Sequence, residues 1–86
     1  DTFDLRVTGY EKGTGKNKDR LGALLCDYEG VQVRVGGGYS DKQRQEFWDT
    51  RDDLVGHMIE IEAAPGKTRE GSLRWPVFIK FRPDLD

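Results

Sequence analysis

The chain has 86 residues, 35% of them apolar and 35% charged, so it can form one small domain with a thin core. A single cysteine and a single histidine exclude an intramolecular disulfide and a zinc site built from four protein ligands. No run of ~20 apolar residues that could cross a membrane is present, and no signal peptide is visible. Because the first residue is Asp1, we expect a fragment of a longer protein or a processed product.

The first half of the chain predicts three strands. Residues 3–9 alternate between apolar and polar side chains, which indicates a half-buried strand. Residues 21–26 form an apolar run in which we expect Cys26 to be a buried, inert thiol. Residues 31–35 alternate again, and the turn between these two segments predicts a hairpin. Three glycines at 36–38 then predict a bulge or a sharp exit from the third strand.

A helix is predicted after the glycines. Ser40 and Gln43 have the spacing of a capping box, which predicts a helix from Asp41 to about Arg51. We expect the helix to break near Thr50, where a second short turn can start. Residues 57–62 alternate once more and predict a fourth strand.

The last strand, residues 73–82, is predicted to have an apolar inward face and a cationic, aromatic outward face. The inward residues are Leu73, Trp75, Val77, Ile79 and Phe81, and the outward residues are Arg74, Pro76, Phe78, Lys80 and Arg82. An outward face of this kind can hold phosphates through arginine and stack on a base. An ordinary solvated sheet face explains the same pattern equally well.

The order of elements predicts the fold class. Three strands, a helix and two strands indicate a mainly β protein: a five-stranded barrel of the oligonucleotide-binding (OB) fold with one α-helix between strands 3 and 4. An SH3-like barrel is the alternative, but it lacks a full helix at that place. We expect residues 1–86 to form one OB-fold domain.

The charges are segregated, although the formal net charge is only −2. Residues 12–20 and 67–82 are basic, whereas acidic residues collect around 41–53. Residues 13–16 look like the end of a phosphate-binding P-loop. Tyr10 stands where that motif needs glycine and Asn17 where it needs serine or threonine, so no P-loop is predicted.

An ordered set of segments resembles one protein family, the C-terminal OB-fold domain of small ATP-dependent DNA ligases of phage and bacterial type. The segments are residues 13–17, 20–24, 35–40, 54–56, 73–76 and 81–84. The closing segment is similar to nucleotidyltransferase motif VI, with Arg74, Arg82 and Asp84 at its arginines and acid. The resemblance implies that these three residues act in catalysis by reaching the ATP phosphates and the leaving pyrophosphate. Two departures are Leu85 at the usual lysine and Lys80 at a common arginine.

The resemblance also implies partners. The expected DNA-binding residues are Lys12, Lys16, Asn17, Lys18, Arg20, Lys67, Arg69, Phe78 and Lys80. Their expected ligand is nicked double-stranded DNA, and the upstream nucleotidyltransferase domain of the same chain is the expected protein partner. ATP and Mg²⁺ would be used by the parent enzyme, with none bound by this domain alone, which carries no metal site.

The fragment alone is not expected to be catalytic, because the K-x-D-G motif of the family is absent. We expect a monomer in the cytoplasm of a bacterial or phage-infected cell. Two alternatives remain open: a free-standing single-strand nucleic-acid-binding OB module, and the OB lid of an RNA-capping enzyme or RNA ligase.

Overall fold

A computed structural model describes all residues, 1–86. It contains five strands and two helices. The strands are β1 (Thr2–Lys12), β2 (Leu21–Tyr28), β3 (Val31–Val35), β4 (Met58–Lys67) and β5 (Leu73–Phe81), and the helices are α1 (Asp41–Asp49) and α2 (Arg51–Leu54). Short 3-10 turns cover Gly15–Asn17 and Pro83–Leu85. Neither α-helix is long and apolar enough to cross a membrane.

The strands form one antiparallel sheet in the order β3-β2-β1-β4-β5. The sheet curls so that β5 returns to the end of β3, where Gly37 bridges Val77 and the Phe78 amide donates to the Gly37 carbonyl at 2.9 Å. This is the layout of a five-stranded OB fold, with the helices between the third and fourth strands, and it confirms the predicted fold class. The structure has two helices where one was named, and they meet at Thr50.

The capping box starts α1 as predicted. The Ser40 hydroxyl accepts from the Gln43 amide at 3.1 Å, and the Gln43 side chain accepts from the Ser40 amide at 3.0 Å. The helix ends at Thr50, whose hydroxyl donates back to the Glu46 carbonyl at 2.9 Å. The break lies where the sequence predicted it, and a threonine hydroxyl bonded to the preceding turn weakens and bends a helix at such a point.

The core consists of apolar side chains from all five strands. They are Leu5, Val7, Leu21, Ala23, Leu24, Cys26, Val33, Val35, Ile59, Ile61, Ala63, Leu73 and Phe78. Cys26 is buried as predicted, and desolvation raises the pKa of its thiol to about 12. A thiol with so high a pKa is unreactive at neutral pH.

The predicted faces of β5 are wrong. Phe78 is buried, at 4% exposure, whereas Trp75 is 76% exposed and Val77 and Ile79 are also exposed. Two bulges cause the change. Arg74 pairs with Ala64 and Val77 with Glu62, so β5 uses one more residue than β4 between these pairs, and Trp75 there has φ +47°.

The second bulge lies between Phe78, opposite Ile61, and Lys80, opposite Glu60, which leaves Ile79 unpaired. Each extra residue shifts the alternation by one position and exchanges the two faces of the strand. The apolar residues predicted to face inward between 75 and 79 therefore face outward.

Candidate nucleic-acid and phosphate interface

The loop between β1 and β2 carries the first basic group. Lys12 pairs with Asp19 at 3.1 Å, and the Gly13 amide donates to the Arg20 carbonyl at 2.8 Å, which closes the loop at its base. Lys16, Lys18 and Arg20 make no ion pair in the structure. Three cationic side chains are thus free on one short loop.

A polar cleft of about 300 Å³ lies beside this loop. Lys12, Asn17, Arg34 and Arg44 are among its lining residues. Arg34 pairs with Glu11 at 2.7 Å, and the side-chain oxygen of Asn17 is buried without a hydrogen-bond partner. The predicted residues Lys12 and Asn17 are therefore brought together, with two arginines that the sequence did not single out.

Arg44 has a structural role that sequence reasoning missed. It reaches from α1 to the barrel, where its Nη1 donates to the Leu21 and Gly22 carbonyls at 2.8 and 3.1 Å. Its Nη2 donates to the Gly36 carbonyl at 3.0 Å, and its guanidinium lies 5.0 Å from the Tyr39 ring centroid. The only sequence signal for it was its place on the predicted helix.

The second basic group is partly committed to ion pairs. Lys67 pairs with Glu29 at 3.3 Å and lies 5.2 Å from the Tyr28 ring centroid. The hydrogen bond to Glu29 raises the pKa of Lys67. Arg69 is exposed and unpaired. Both residues remain accessible to a ligand, but binding through Lys67 must compete with Glu29.

Phe78 was predicted to face outward and contact DNA, but its side chain is buried, so it offers no accessible ring for a base in this structure. It packs against the rings of Tyr39, Phe47 and Phe81, with centroid distances of 5.1, 5.5 and 5.5 Å. Through this aromatic cluster, α1 packs against the core of the barrel. The bulge before Phe78, at Trp75, turns its side chain inward, which simple alternation could not predict.

Arg74 and Lys80 are the free cations of β5. Arg74 is exposed and lies 5.2 Å from the ring centroid of Trp75, with no carboxylate partner. Lys80 is exposed and stands opposite Glu60 in the sheet register, without an ion pair within 4.0 Å. These two side chains can bind an anion without breaking an existing ion pair.

Arg82 and Asp84 lie together, but they bind each other. The Nε and Nη2 atoms of Arg82 donate to the Asp84 carboxylate at 3.3 and 3.1 Å. The Nη1 atom donates to Asp4 and Glu60 at 3.1 Å each. Its hydrogen bonds, with Asp84 first, raise the pKa of Arg82, and the same pair lowers the pKa of Asp84.

No group of three or more histidine, cysteine, aspartate or glutamate side chains is arranged to hold a metal ion.

Comparison with known proteins identifies the family of this chain. A profile of the family described as DNA ligase OB-like domain matches residues 12–82. The chain belongs to that family. The match includes both basic groups of the ligase OB-like domain and ends at Arg82, so Asp84 lies beyond it.

Relatives of this ligase OB-like domain support the assignment. A DNA ligase of Methanospirillum hungatei JF-1 is 35% identical over the whole chain, which covers 20% of that protein. The solved structure described as Pmar-Lig_PreS3 is 42% identical with a TM-score of 0.80, over 94% of this chain and 21% of that one. A Lig E DNA ligase, from a structural study of DNA binding with a minimal scaffold, is 29% identical with a TM-score of 0.79.

The ligase OB-like domain spans only part of these relatives. The alignment with the Lig E structure covers 95% of this chain and 30% of that one. The alignment with the Chlorella virus DNA ligase-adenylate, which is 25% identical with a TM-score of 0.74, covers the same two fractions. The chain thus spans about a fifth to a third of the length of the proteins it matches.

Proposed function

We propose that this domain serves an ATP-dependent DNA ligase that seals nicks, as its DNA-binding and phosphate-orienting part. The observation that carries the proposal is the division of its cations into two free groups inside the family match. One group is Lys16, Lys18 and Arg20 on the β1–β2 loop, and the other is Arg74 and Lys80 on β5. Free cations at two places suit two separate anionic partners.

The first partner is nicked duplex DNA. Its phosphate backbone attracts lysine and arginine whatever the sequence, and each neutralised phosphate releases counterions. Lys16, Lys18 and Arg20 need break no ion pair to reach a phosphate, whereas Lys12 must leave Asp19. The proposed contact residues are Lys12, Lys16, Asn17, Lys18, Arg20, Lys67, Arg69 and Lys80.

The second partner is the triphosphate of ATP in the upstream nucleotidyltransferase domain. Displacement at phosphorus depends mainly on positioning and charge neutralisation, so a cationic side chain near the leaving pyrophosphate accelerates adenylation. We assign Arg74 as the direct ligand, because it has no carboxylate partner. Arg82 joins it by exchanging a carboxylate for a phosphate, and Asp84 orients Arg82 before that exchange.

The rest of the enzyme supplies the remaining chemistry in this proposal. ATP and Mg²⁺ bind in the nucleotidyltransferase domain, and this domain alone forms no covalent adenylate because it lacks a K-x-D-G lysine. The parent enzyme acts as a monomer in the cytoplasm. Its activity joins a 3′-hydroxyl to a 5′-phosphate at a nick in DNA.

Salt-dependent binding of labelled nicked duplex tests the DNA contact. We expect weak binding. The slope of log affinity against log salt concentration should become shallower by about 0.9 when Lys18→Gln removes one phosphate contact. Lys42→Gln is the matched control, because that exposed lysine lies on α1 and reaches only Glu46, at 3.9 Å. Equal slopes for both variants would argue against the proposed loop contact.

The same titration separates the single-strand-binding alternative. Trp75 is the one large aromatic side chain that is mostly exposed, and exposed aromatics stack on unpaired bases. Tighter binding to single strands than to nicked duplex, lost in Trp75→Ala, would favour that alternative. We expect the reverse preference.

A further inference from the structure

The guanidinium of Arg82 is nearly saturated by carboxylates. Nη1 donates to Asp4 and Glu60, and the edge formed by Nε and Nη2 donates to both oxygens of Asp84. A guanidinium has five N–H donors, of which four are engaged here and one is free. An incoming anion can bind Arg82 well only if a carboxylate leaves.

The carboxylates differ in how firmly the fold holds them. Asp4 on β1 and Glu60 on β4 are register partners in neighbouring strands, and the Glu60 side chain is only 19% exposed. Asp84 lies in the three-residue turn after β5, and its side chain is 62% exposed. The sheet therefore fixes Nη1, whereas an exposed turn holds the other edge.

The edge held by Asp84 is the one that suits a phosphate. Two parallel N–H donors bind two oxygens of a carboxylate or of a phosphate in the same fork geometry. We infer that Asp84 is an internal stand-in for phosphate on Arg82, and that Asp4 and Glu60 are positioning residues that keep the guanidinium aimed when Asp84 is displaced. The inference rests on the proposed function, because it assumes that Arg82 meets a phosphate.

Electrostatics make the exchange selective. With Asp84 in place, three carboxylates surround one guanidinium, so the cluster does not attract an anion from solution. The hydrogen bond from Arg82 lowers the pKa of Asp84, so this carboxylate is ionised at neutral pH and competes as an anion. A phosphate held nearby by Lys80, which stands opposite Glu60 and acts electrostatically on Asp84, would have the high local concentration needed to displace it.

Titration of the chain with inorganic pyrophosphate tests the stand-in role. The Nε–H resonance of Arg82 reports binding by NMR, and Arg82→Lys shows which shifts depend on the guanidinium. We expect Asp84→Asn to tighten pyrophosphate binding about two- to fivefold, the range for loss of an exposed ion-pair competitor. Glu62→Gln is the matched control, because it removes the same charge from an exposed position on β4 that does not contact Arg82.

An equal effect of Asp84→Asn and Glu62→Gln would overturn the stand-in role, since it would reduce the gain to general electrostatics. Absence of any shift at Arg82 in both the wild type and Asp84→Asn would overturn the whole inference. The proposed function would still stand on two separate results, which are DNA binding by the β1–β2 loop and the need for Arg74 in adenylation.

Adding Asp4→Asn and Glu60→Gln to Asp84→Asn tests positioning. Charge loss alone would tighten pyrophosphate binding further, whereas loss of positioning should abolish the gain and speed exchange of the Arg82 Nε–H. Further tightening would refute the positioning role. Urea unfolding gives the folded fraction of each variant, and Glu60→Gln with Asp84→Asn is the pair to compare if the triple variant is unstable.

Discussion

Arg44 joins the helix to the barrel through one side chain. Its guanidinium donates to three backbone carbonyls, of Leu21, Gly22 and Gly36, at the end of the barrel where β2 begins and β3 ends. A charged donor shared among several carbonyls stabilises more than a neutral hydrogen bond does.

We expect Arg44→Ala to lower the free energy of unfolding by about 2–3 kcal/mol, because it removes these hydrogen bonds and the contact with Tyr39. Urea denaturation measures the loss. The control is Gln45→Ala, which removes only an exposed hydrogen bond to Asp49 at 3.1 Å and should change stability by less than about 0.5 kcal/mol. Equal losses for the two variants would show that Arg44 does not hold α1 to the barrel.

Acid should weaken the turn after β5. The pKa of Asp84 is lowered first by its hydrogen bond from Arg82, and the pKa of Asp86 first by its hydrogen bond with His57. A folded-state pKa below the unfolded value of 3.8 adds stability above that pH and loses it as the pH falls through the folded value. We therefore expect part of the stability to disappear below about pH 4.

The comparison of urea midpoints at pH 6 and pH 3 checks this expectation. The double variant Asp84→Asn with Asp86→Asn should show a smaller acid loss than the wild type. Asp27→Asn with Asp53→Asn is the control, because those side chains make no hydrogen bond or ion pair in the structure. An acid loss that is identical in all three proteins would contradict the assignment to this turn.

At the scale of elements, the closure of the barrel depends on a glycine. Gly38 has φ +95°, and a Cβ there would lie 2.4 Å from the Phe78 carbonyl oxygen. The backbone of β5 thus passes too close for any side chain. Gly15 has a similar positive φ of +59° but no heavy atom within 4 Å of its Cβ position.

Substitutions at these two glycines separate the cost of a left-handed backbone from the cost of a steric clash with β5. We expect Gly15→Ala to cost about 1 kcal/mol, the usual penalty for a left-handed conformation. Gly38→Ala should cost more than about 3 kcal/mol, since the backbone must also move at the closure. In Gly38→Ala, the rate of amide hydrogen exchange at Phe78, whose N–H donates to the Gly37 carbonyl at 2.9 Å, should also rise. Equal costs at both sites would show that β5 does not close on β3 here.

The alternation of apolar and polar residues, together with the turn and capping residues, was sufficient to predict most of the fold. The alternation in residues 3–9, the hairpin turn and the capping box at Ser40 are local signals, and each one predicted its element. The faces of β5 were not predictable, because they depend on how many residues β4 uses between paired positions. Trp75 in a left-handed conformation gives no signal in the sequence, since such a backbone is favoured by glycine.

The candidate site could be predicted only in part, because it also depends on contacts between segments that are distant in the sequence. Basic residues could be listed from the sequence, but their partners could not, because ion pairs join distant segments. Arg82 meets Asp4 across 78 positions, and Lys67 meets Glu29 across 38. The sequence therefore did not reveal that Arg74 has no ion-pair partner, whereas Arg82 is bound by three carboxylates.

At the scale of the whole molecule, the distribution of charge matters more than its sum. The chain carries 14 lysines and arginines against 16 acids, yet the acids neutralise the cations unevenly. The loop of residues 12–20 keeps Lys16, Lys18 and Arg20 free, and β5 keeps Arg74 and Lys80 free. A protein with a weakly negative sum can present two cationic surfaces in this way.

We propose that Arg74 serves the adenylation step rather than DNA binding. The most direct test is single-turnover measurement of both half-reactions in the full-length ligase that carries this domain. Arg74→Ala should slow self-adenylation about a hundred- to a thousandfold, the cost of losing one charge-assisted contact in a transition state. Sealing of a pre-adenylated nick should be nearly unchanged, because pyrophosphate has already left. Lys42→Ala, which removes an exposed cation on α1 outside the proposed contacts, should affect neither step strongly. Intact self-adenylation in Arg74→Ala, with sealing of the pre-adenylated nick lost, would contradict the account.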